Sequence, residues 1–556
     1  MISLNKKNTN KAKALIKSCL NGQKRLIFLN CILSSLVSAA YILLAMLSKS
    51  LIDIATNSAS GKFYIYVLFM SLTVLLQLLL NTFHSHFATV TSGKMSMALR
   101  SRIFNLLYEK EYKEVSSYHS GELLNRFLSD SDVVVGTASS IIPSLCSTVT
   151  RLVAGIFALI TLDWRFGSGI IIVGIFIPLI AKMLTAKYKK LHKAYQISNG
   201  KIKSYFQELL VNLPVVKSFT SLNPVKSKLG GLLKENYGLK LKKNWLSIFT
   251  ASGFYVFFTA GYFLVLIWGA IGIQNETVTY GSLIAFLQII SQLRTPLQSI
   301  SGFLPQYSSM LASAERICEL EDIEDELLPM NEDMLAAVRD VFEGIKAENL
   351  SFSYGEKSIL EDCNFYIPRD SIAVITGESG HGKSTLFKLL LGYFKPNGRL
   401  TLNNNYEINA STRGLFSYVP QGNMILSGTI LENLTICTTA ASEEKISSAI
   451  EIAVLKEWID SLPDGINTKI GENGLGISEG QAQRIAIARA LICDTPILLL
   501  DEATCSLDNA TEHTLLWNLK DLPDKTVLLV THRKVEDGIA DITLHLDNKQ
   551  FTQTNA

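Results

Sequence analysis

The glycine-rich stretch around residue 380 has the composition of a phosphate-binding loop. It follows an apolar run typical of a buried strand, 372–375, and precedes the apolar run of a helix, 386–391. Glycines let backbone N–H groups close around a phosphate, and the helix N-terminus adds a favourable dipole. The pattern therefore predicts a nucleoside triphosphate site. The residues predicted to contact the nucleotide there are Gly377, Glu378, Ser379, Gly380, His381, Gly382, Lys383, Ser384 and Thr385.

Four side chains in and beyond this loop are suited to phosphate-transfer chemistry. Lys383 is predicted to reach the β- and γ-phosphates, and the Ser384 hydroxyl is predicted to bind Mg²⁺. A second motif, 497–502, is an apolar strand that ends in two carboxylates. Asp501 is predicted to hold Mg²⁺ through water, and Glu502 to orient or deprotonate the attacking water. The alternative role of this carboxylate pair is a helix cap, but the two motifs together favour hydrolysis of ATP with Mg²⁺ as cofactor.

A third motif lies between these two and carries a family resemblance. The segment 477–484, Ile-Ser-Glu-Gly-Gln-Ala-Gln-Arg, resembles the LSGGQ signature of the ABC ATPase family, and the resemblance extends over essentially the whole chain. It implies that Ser478, Gly480 and Gln481 contact ATP bound by a second subunit. Glu479 stands where the family has glycine. Because a carboxylate aimed at the γ-phosphate would repel it, we expect Glu479 to point away from the nucleotide.

The resemblance implies roles for four further residues. Tyr354 matches the aromatic residue that stacks on adenine, and Gln421 matches the residue that touches Mg²⁺ and senses the transmembrane domain. Asp508 lies in a loop, 505–508, that resembles the one at the dimer interface, and His532 matches the histidine near the γ-phosphate. Taken alone, Tyr354 would more often be a core aromatic residue and His532 a surface histidine; their order and spacing in the chain favour the functional roles instead. The implied catalytic residues are Glu502, His532 and Gln421, and the implied Mg²⁺ ligands are Ser384, Gln421 and Asp501.

The N-terminal half carries the apolar runs that a membrane protein needs. A bilayer core requires roughly 20 apolar residues in a helix. Seven Lys and Arg residues precede the first such run, six lie between the second and third, and fourteen lie between 182 and 243. Because basic residues concentrate on the cytoplasmic side, both termini are predicted to be cytoplasmic. The six predicted spans are about 26–47, 63–86, 137–162, 166–185, 246–271 and 281–304.

These patterns predict a polytopic all-α membrane domain followed by an α/β P-loop ABC ATPase domain. The cytoplasmic connections, 87–136 and 186–245, show helical spacing, so the spans are expected to continue roughly 35 to 40 Å past the bilayer at 1.5 Å per residue. Within them, 120–130 and 207–219 resemble the regions around the short docking helices of type I exporters. The predicted parts are a cytoplasmic segment 1–25, a transmembrane domain 26–312, a linker 313–340 and an ATPase domain 341–556.

Two arginines inside the predicted spans bear on the substrate. A charge within a bilayer costs a few kcal/mol or more unless it faces water or a partner. Arg151 and Arg294 both lie near the predicted midplane. We expect both to face the central cavity and to favour a substrate with an anionic group. The alternative is an internal pairing with backbone carbonyls or with Gln288 or Gln292.

Composition excludes several other classes of protein. The net charge of +3 is too small to indicate a nucleic-acid partner. The eight cysteines lack the spacing of metal sites or redox motifs and are predicted to be reduced. The first apolar run is long and lacks a small-residue cleavage pattern, so no cleavable signal peptide is expected. The first 25 residues leave no room for a protease domain, which disfavours a leader-cleaving peptide exporter.

The sequence thus predicts a dimeric ATP-hydrolysing exporter in a bacterial plasma membrane. Its substrate would be amphipathic, such as a peptide, lipid or drug, and would move by alternating access. Because Glu502 and His532 are both present, a homodimer is favoured. One alternative is an ATP-gated sensor or channel without net pumping, against which Glu502 argues. The other, a soluble ABC ATPase acting on nucleic acid or ribosomes, is excluded by the predicted spans.

Overall fold

The structure is a computed structural model that divides into two compact units. One comprises Met1–Asn105 with Ser120–Asp322, and the other comprises Leu106–His119 with Ile323–Ala556. The predicted fourth span, 166–185, lies outside the described residues. The structure describes residues 6–164 and 190–555, except 57, 60, 192, 211, 219–221, 328, 379, 404, 423–424, 439–440, 472–475 and 534.

The described part of the first unit consists of helices and their short connections. A single π-helical turn, Arg126–Asp130, joins two of them into one continuous segment. A short helix that belongs to the second unit, Tyr112–Val115, lies between helices of the first unit in the chain. The helices are α1 (Lys6–Gly22), α2 (Lys24–Ala55), α3 (Phe63–Glu109), α4 (Tyr112–Val115), α5 (Ser120–Asn125), α6 (Ser131–Leu162), α7 (193–210), α8 (Leu213–Ser218), α9 (Asn223–Gln274) and α10 (Tyr280–Glu321).

Four of the described helical segments are long and apolar enough to cross a membrane. They are Lys24–Ala55, Phe63–Glu109, Ser120–Leu162 and Asn223–Gln274. The predicted sixth span lies in α10, which is not among these four. Its apolar run is interrupted by Gln288, Gln292 and Arg294, whose polarity lowers the mean hydropathy of the segment.

The membrane helices pack through an apolar cluster and through polar side chains that bond between helices. Ile42, Leu159, Val265 and Phe286 bring α2, α6, α9 and α10 together. Polar partners are required where no water is available. The Asn30 amide donates to Thr91 Oγ1 at 3.0 Å, and the Gln77 amide donates to the Ala40 carbonyl at 2.9 Å. The Gln292 amide donates to the Tyr41 carbonyl at 3.2 Å.

The second unit has the strands of an α/β domain in two larger sheets. The six-stranded sheet has the order β12-β11-β3-β10-β9-β6, and the four-stranded sheet has the order β2-β1-β4-β5. Strands β7 and β8 form a separate pair. The strands are β1 (Gly344–Tyr354), β2 (Lys357–Pro368), β3 (Ile372–Gly377), β4 (Asn397–Leu402), β5 (Tyr406–Glu407), β6 (Phe416–Val419), β7 (Gly428–Thr429), β8 (Lys469–Ile470), β9 (Ile497–Asp501), β10 (Thr526–Val530), β11 (Ile542–Asp547) and β12 (Gln550–Asn555).

Helices cover the central sheet, as the apolar character of its strands requires. Strands β9 and β10 are buried along their whole length, which is typical of parallel strands with both faces covered. The helices are α11 (Glu332–Asp340), α12 (Lys383–Leu390), α13 (Ile430–Thr435), α14 (Glu443–Ile452), α15 (Lys456–Asp460), α16 (Glu479–Ile492) and α17 (Asn509–Lys520), with 3₁₀ turns at Ala410–Leu415 and Gly465–Asn467.

Candidate nucleotide-binding site

The candidate site lies where four parallel strands of the central sheet end. β3, β6, β9 and β10 run in the same direction. Their carboxyl ends therefore meet at one edge, which is where ligands bind in open α/β sheets. The edge carries the glycine loop after β3, Gln421 after β6, Asp501 at the end of β9 and His532 after β10. A cleft of about 870 Å³ opens there beside Gly377 and His532.

The loop between β3 and α12 depends on glycine at two positions for space as well as for conformation. Gly377 and Gly382 have φ angles of +142° and +113°. A Cβ at Gly377 would lie 2.6 Å from the Leu546 carbonyl oxygen, and one at Gly382 would lie 2.3 Å from Ile359 Cγ2. Gly380 has a φ of +81° with open space around it. Ser379 lies outside the described residues.

Lys383 projects into the curve of this loop. Its ammonium group donates to the carbonyl oxygens of Gly377 at 2.8 Å and Glu378 at 2.9 Å. Burial lowers the pKa of Lys383, and the carboxylates of Glu502 and Asp501 oppose that shift. The lysine is thus held inside the loop by backbone groups and is placed to meet a phosphate. His381 Nδ1 lies 3.6 Å from Glu378 Oε2 at the outer side of the loop.

Asp501 receives hydrogen bonds on both of its carboxylate oxygens. Ser384 Oγ donates to Oδ1 at 2.9 Å, and the Tyr418 hydroxyl donates to Oδ2 at 3.3 Å. Burial raises the pKa of Asp501, and the bonds from Ser384 and Tyr418 counteract this. Hydroxyl and carboxylate oxygens suit Mg²⁺, which takes few protein ligands and fills its other positions with water and phosphate. Ser384 and Asp501 therefore fit a Mg²⁺-nucleotide.

The Glu502 carboxylate contacts two polar side chains at this edge of the sheet, those of Gln421 and His532. Gln421 Nε2 donates to Glu502 Oε2 at 2.7 Å, and His532 Nε2 lies 3.2 Å from Oε1. Glu502 has a φ of +52°, a left-handed conformation uncommon for residues other than glycine, which clusters at functional sites. Its backbone N–H donates to the Val530 carbonyl at 3.1 Å. The three predicted catalytic residues are thus brought together.

The signature segment forms the start of helix α16. Ser478 is the N-cap: its Oγ accepts from the Gln481 N–H at 3.2 Å, and Gln481 Oε1 accepts from the Ser478 N–H at 2.9 Å. This reciprocal pair is a capping box. A Cβ at Gly480 would lie 3.0 Å from the Ser506 carbonyl, so glycine there permits close packing of the 505–508 loop. Glu479 is exposed at the first helical position, where an acidic side chain is favoured.

Two residues that the sequence interpretation did not single out hold the 505–508 loop. Arg533 donates to the carbonyls of Cys505 and Leu507 at 2.8 and 2.9 Å and pairs with Glu512 at 2.6 Å. Gln483 Oε1 accepts from the Ser506 N–H at 3.3 Å. The signal for Arg533 was its position directly after His532.

Two residues predicted to contact the nucleotide lie away from the cluster around Asp501 and Glu502. Asp508 caps α17, where its carboxylate accepts from the Thr511 N–H at 3.0 Å. Tyr354 lies at the end of β1 with its ring perpendicular to those of Phe352 and Phe394, at 4.9 and 5.3 Å between centroids. Its side chain stays partly exposed, which leaves ring surface for a base.

The two arginines predicted to face a cavity have different surroundings. Arg151 lines a pocket of about 450 Å³ in the first unit, and its guanidinium lies 5.0 Å from the centre of the Tyr41 ring. Its Nε has no hydrogen-bond partner among the described residues. Arg294 does not line this pocket, and its guanidinium lies 5.2 Å from the centre of the Tyr255 ring. Other polar residues around the pocket include His84, Ser140, Ser144, Thr148 and Gln306.

Comparison with known proteins agrees with both units. Residues 27–297 match the ABC transporter transmembrane region, and 360–505 match the ABC transporter family. The chain is 27% identical to pediocin PA-1 transport/processing ATP-binding protein PedD of Pediococcus acidilactici, over 86% of this chain and 67% of that protein. It is 27% identical to an ATP-dependent lipid A-core flippase of Photorhabdus laumondii, over 88% of this chain and 85% of that protein.

A multidrug resistance ABC transporter ATP-binding and permease protein of Lactococcus lactis is also 27% identical, over 82% of this chain and 78% of that protein. Among solved structures, a bacterial Atm1-family ABC exporter with ATP bound superposes with a TM-score of 0.76. That comparison covers 96% of this chain and 95% of the other at 22% sequence identity, and it shows the shared fold.

The fold and the site together define a membrane-bound P-loop ATPase, in which one chain contains both the transmembrane region and the ATPase domain. The chain belongs to the ABC transporter family, as a half-transporter of the exporter type. It binds nucleotide and couples ATP hydrolysis to export, and such half-transporters generally dimerise. The predicted fold class and the prediction of an ATP-driven exporter are confirmed.

Proposed function

We propose that two copies of this chain form a homodimer that hydrolyses Mg²⁺-ATP at two equal sites and exports an amphipathic substrate bearing an anionic group. The observation that carries the catalytic part is the convergence of Gln421 and His532 on Glu502. Because one chain holds this complete set and also the signature segment, two copies supply everything that both sites need. The dimer would lie in the bacterial plasma membrane with six spans per chain and both termini cytoplasmic.

The side chains at the edge of the sheet have separate tasks in this mechanism. The loop amides and Lys383 bind the β- and γ-phosphates, and Ser384 and Asp501 would hold Mg²⁺ together with Gln421. Bound Mg²⁺ would neutralise the charge that develops on the phosphates. Glu502 accepts a hydrogen bond from the attacking water and orients it in line with the γ-phosphorus.

The remaining residues orient Glu502, bind the adenine and contact the opposite subunit. Gln421 and His532 fix the two oxygens of the Glu502 carboxylate, so that its lone pairs are directed before water arrives. Tyr354 stacks on the adenine, and Asp508 and the capped start of α16 contact the opposite subunit. Ser478, Gly480 and Gln481 would then close over the γ-phosphate, where the N-terminal dipole of α16 favours a negative charge.

The test is ATP hydrolysis by the purified single chain in lipid nanodiscs. Replacing Glu502 with Gln removes the base and keeps the size of the side chain. We expect hydrolysis to fall by roughly 10²- to 10⁴-fold while ATP binding persists. Glu444→Gln, at an exposed position of α14, is the matched control and should retain full activity. An inactive wild type would contradict the homodimer, and an active Glu502→Gln would contradict the assigned role.

The substrate proposal depends on the pocket around Arg151. The names of the similar proteins include peptide, lipid and drug transporters, so they do not select a class. An arginine Nε without a partner, among hydroxyl groups, favours an anionic group because burying it unpaired costs free energy. The Tyr41 ring lies against the guanidinium but offers no hydrogen-bond acceptor to this Nε.

Charge selectivity tests this part. We expect an anionic amphiphile, dodecyl phosphate, to stimulate ATPase activity more than dodecyltrimethylammonium. Arg151→Gln should abolish the difference. Arg294→Gln, whose charge lies over Tyr255 outside the pocket, is the control and should preserve it. Stimulation by the cation alone, unchanged in Arg151→Gln, would contradict an anionic substrate.

A further inference from the structure

The short segment 109–118 is joined to the linker by backbone hydrogen bonds within the second unit. The Glu111 N–H donates to the Glu324 carbonyl at 3.0 Å, and the Glu326 N–H donates to the Glu109 carbonyl at 2.8 Å. Between them, the Lys110 ammonium donates to the Ile323 carbonyl at 2.7 Å. The segment is thus anchored as a two-stranded pairing, and its next residue, Tyr112, has a defined position.

Tyr112 stacks on Tyr393, which lies three residues after the end of the phosphate-loop helix. The Tyr112 and Tyr393 rings lie 4.1 Å apart at an angle of 24°. Arg413 also contacts Tyr393, with its guanidinium carbon 4.7 Å from the ring centre. Arg413 is fixed by two bonds to the carboxylate of Glu326, at 2.8 and 2.9 Å. The helix α12 runs from Lys383 to Leu390, and the Tyr393 N–H donates to the Lys388 carbonyl in its last turn at 2.9 Å. The stack therefore joins the segment to the C-terminal end of the phosphate-loop helix.

A third tyrosine joins the same helix to the Asp501 carboxylate. The Tyr418 ring is perpendicular to that of Phe387 on α12, 6.2 Å between centroids, and its hydroxyl donates to Asp501 Oδ2. Burial raises the pKa of Tyr418, and the nearby Asp501, Tyr393 and Tyr112 add to the shift. Tyr418 thus touches both the phosphate-loop helix, through Phe387, and the carboxylate at the end of β9.

We propose that Tyr418 is a positioning residue that orients the Asp501 carboxylate for the metal-nucleotide. The Tyr112–Tyr393 stack transmits the position of segment 109–118 to Tyr418. This rests on the proposed use of Mg²⁺. With Oδ2 held by Tyr418, Oδ1 is directed at Ser384, the other expected metal ligand. Without the Tyr418 hydroxyl, the Asp501 carboxylate can rotate. Its charged form also loses one of its two hydrogen bonds, and that loss is costly because Asp501 is only 2% exposed.

Metal binding, measured apart from turnover, is the decisive test. Mn²⁺ binding in the presence of ATP can be followed by electron paramagnetic resonance on the full chain in nanodiscs, in the non-hydrolysing Glu502→Gln background. We expect Tyr418→Phe to raise the Mn²⁺ dissociation constant about ten-fold, from the loss of one hydrogen bond to a charged group. Binding of a fluorescent ATP analogue without divalent metal should be unchanged. Tyr406→Phe, at a half-buried tyrosine of the same core, is the control and should match the parent.

The transmission step is tested by a double-mutant cycle. Tyr112→Leu removes the stacked ring and should raise the Mn²⁺ dissociation constant two- to five-fold in the parent background but not in Tyr418→Phe. Tyr112→Phe keeps the ring and should resemble the parent. Additive effects of Tyr112→Leu and Tyr418→Phe would overturn the transmission step. Equal weakening of metal-free and metal-bound nucleotide by Tyr418→Phe, or no effect, would overturn the positioning role. Hydrolysis by wild type that needs no divalent metal would instead overturn the proposed function.

Discussion

Gly382 offers a quantitative test of how the phosphate loop is built. Its φ is +113°, and a Cβ there would lie 2.3 Å from Ile359 Cγ2. Gly355, in the turn between β1 and β2, has a φ of +60° with nothing within 4 Å of the corresponding position. Alanine at Gly355 therefore meets only a conformational penalty, whereas alanine at Gly382 meets a conformational and a steric one.

The expected costs follow from these two situations. Gly355→Ala should destabilise its surroundings by roughly 1–2 kcal/mol, the cost of a left-handed residue with a side chain. Gly382→Ala should cost roughly 2–6 kcal/mol, because backbone strain and overpacking each contribute about 1–3 kcal/mol. Since Ile359 is 8% exposed and belongs to the core, it cannot simply turn outward into solvent.

Hydrogen exchange by mass spectrometry on the full chain measures these costs as local opening free energies. The peptides to follow are 383–390, which forms α12, and 352–360, which contains the hairpin turn. In the double variant Ile359→Ala/Gly382→Ala, the clash is removed, so the two effects should fall short of additivity by about 1–3 kcal/mol. Equal costs for the two glycine variants, or strict additivity in the double variant, would refute the steric explanation.

Three further predictions each concern one acidic side chain. Glu479→Gln should lower the half-saturating ATP concentration about two- to five-fold at low salt, because a carboxylate at the start of α16 opposes phosphate; a higher value would contradict this. Asp53→Ala should loosen the start of α10, since Asp53 Oδ1 accepts from the Gly281 N–H at 3.0 Å, and exchange in 280–284 should reflect a loss of about 1–2 kcal/mol. The Thr511 N–H holds the pKa of Asp508 below its usual range. The ionised Asp508 carboxylate therefore stabilises the fold at neutral pH, and this stabilisation is lost as the pH falls through the lowered pKa. Asp508→Asn should flatten the acid side of the profile of melting temperature against pH. An unchanged profile would contradict this role of Asp508.

Much of the ATPase site could be predicted because its signals are contiguous in the chain. The loop at 377–385, the strand ending in Asp501 and Glu502, and the cap formed by Ser478 each combine a few neighbouring residues whose spacing has a direct physical meaning. Long apolar runs likewise predict membrane helices without any knowledge of their neighbours. These local patterns were sufficient for the fold class and for ATP-driven export, both of which the comparisons bear out.

The contacts between distant segments depended on the tertiary structure. Tyr418 reaches Asp501 because β6 lies beside β9 in parallel, with Tyr418 opposite Leu499. Arg533 reaches the loop before Asp508 across a separation of more than twenty residues. Neither strand order nor register can be read from the composition of a single strand, so the sequence did not show which groups these two side chains would contact.

The two membrane arginines show the same division. Both were identified from sequence as charges near the middle of a span, because a charge at that depth is costly unless it faces water or a partner. Which of them lines a pocket depends on the rotation of each helix against its neighbours: Arg151 does, beside His84, while Arg294 packs on Tyr255. The sequence thus determined the chemistry that was available, and the tertiary structure decided which groups meet, because helix phase, strand order and register arise only from the packing of the whole chain.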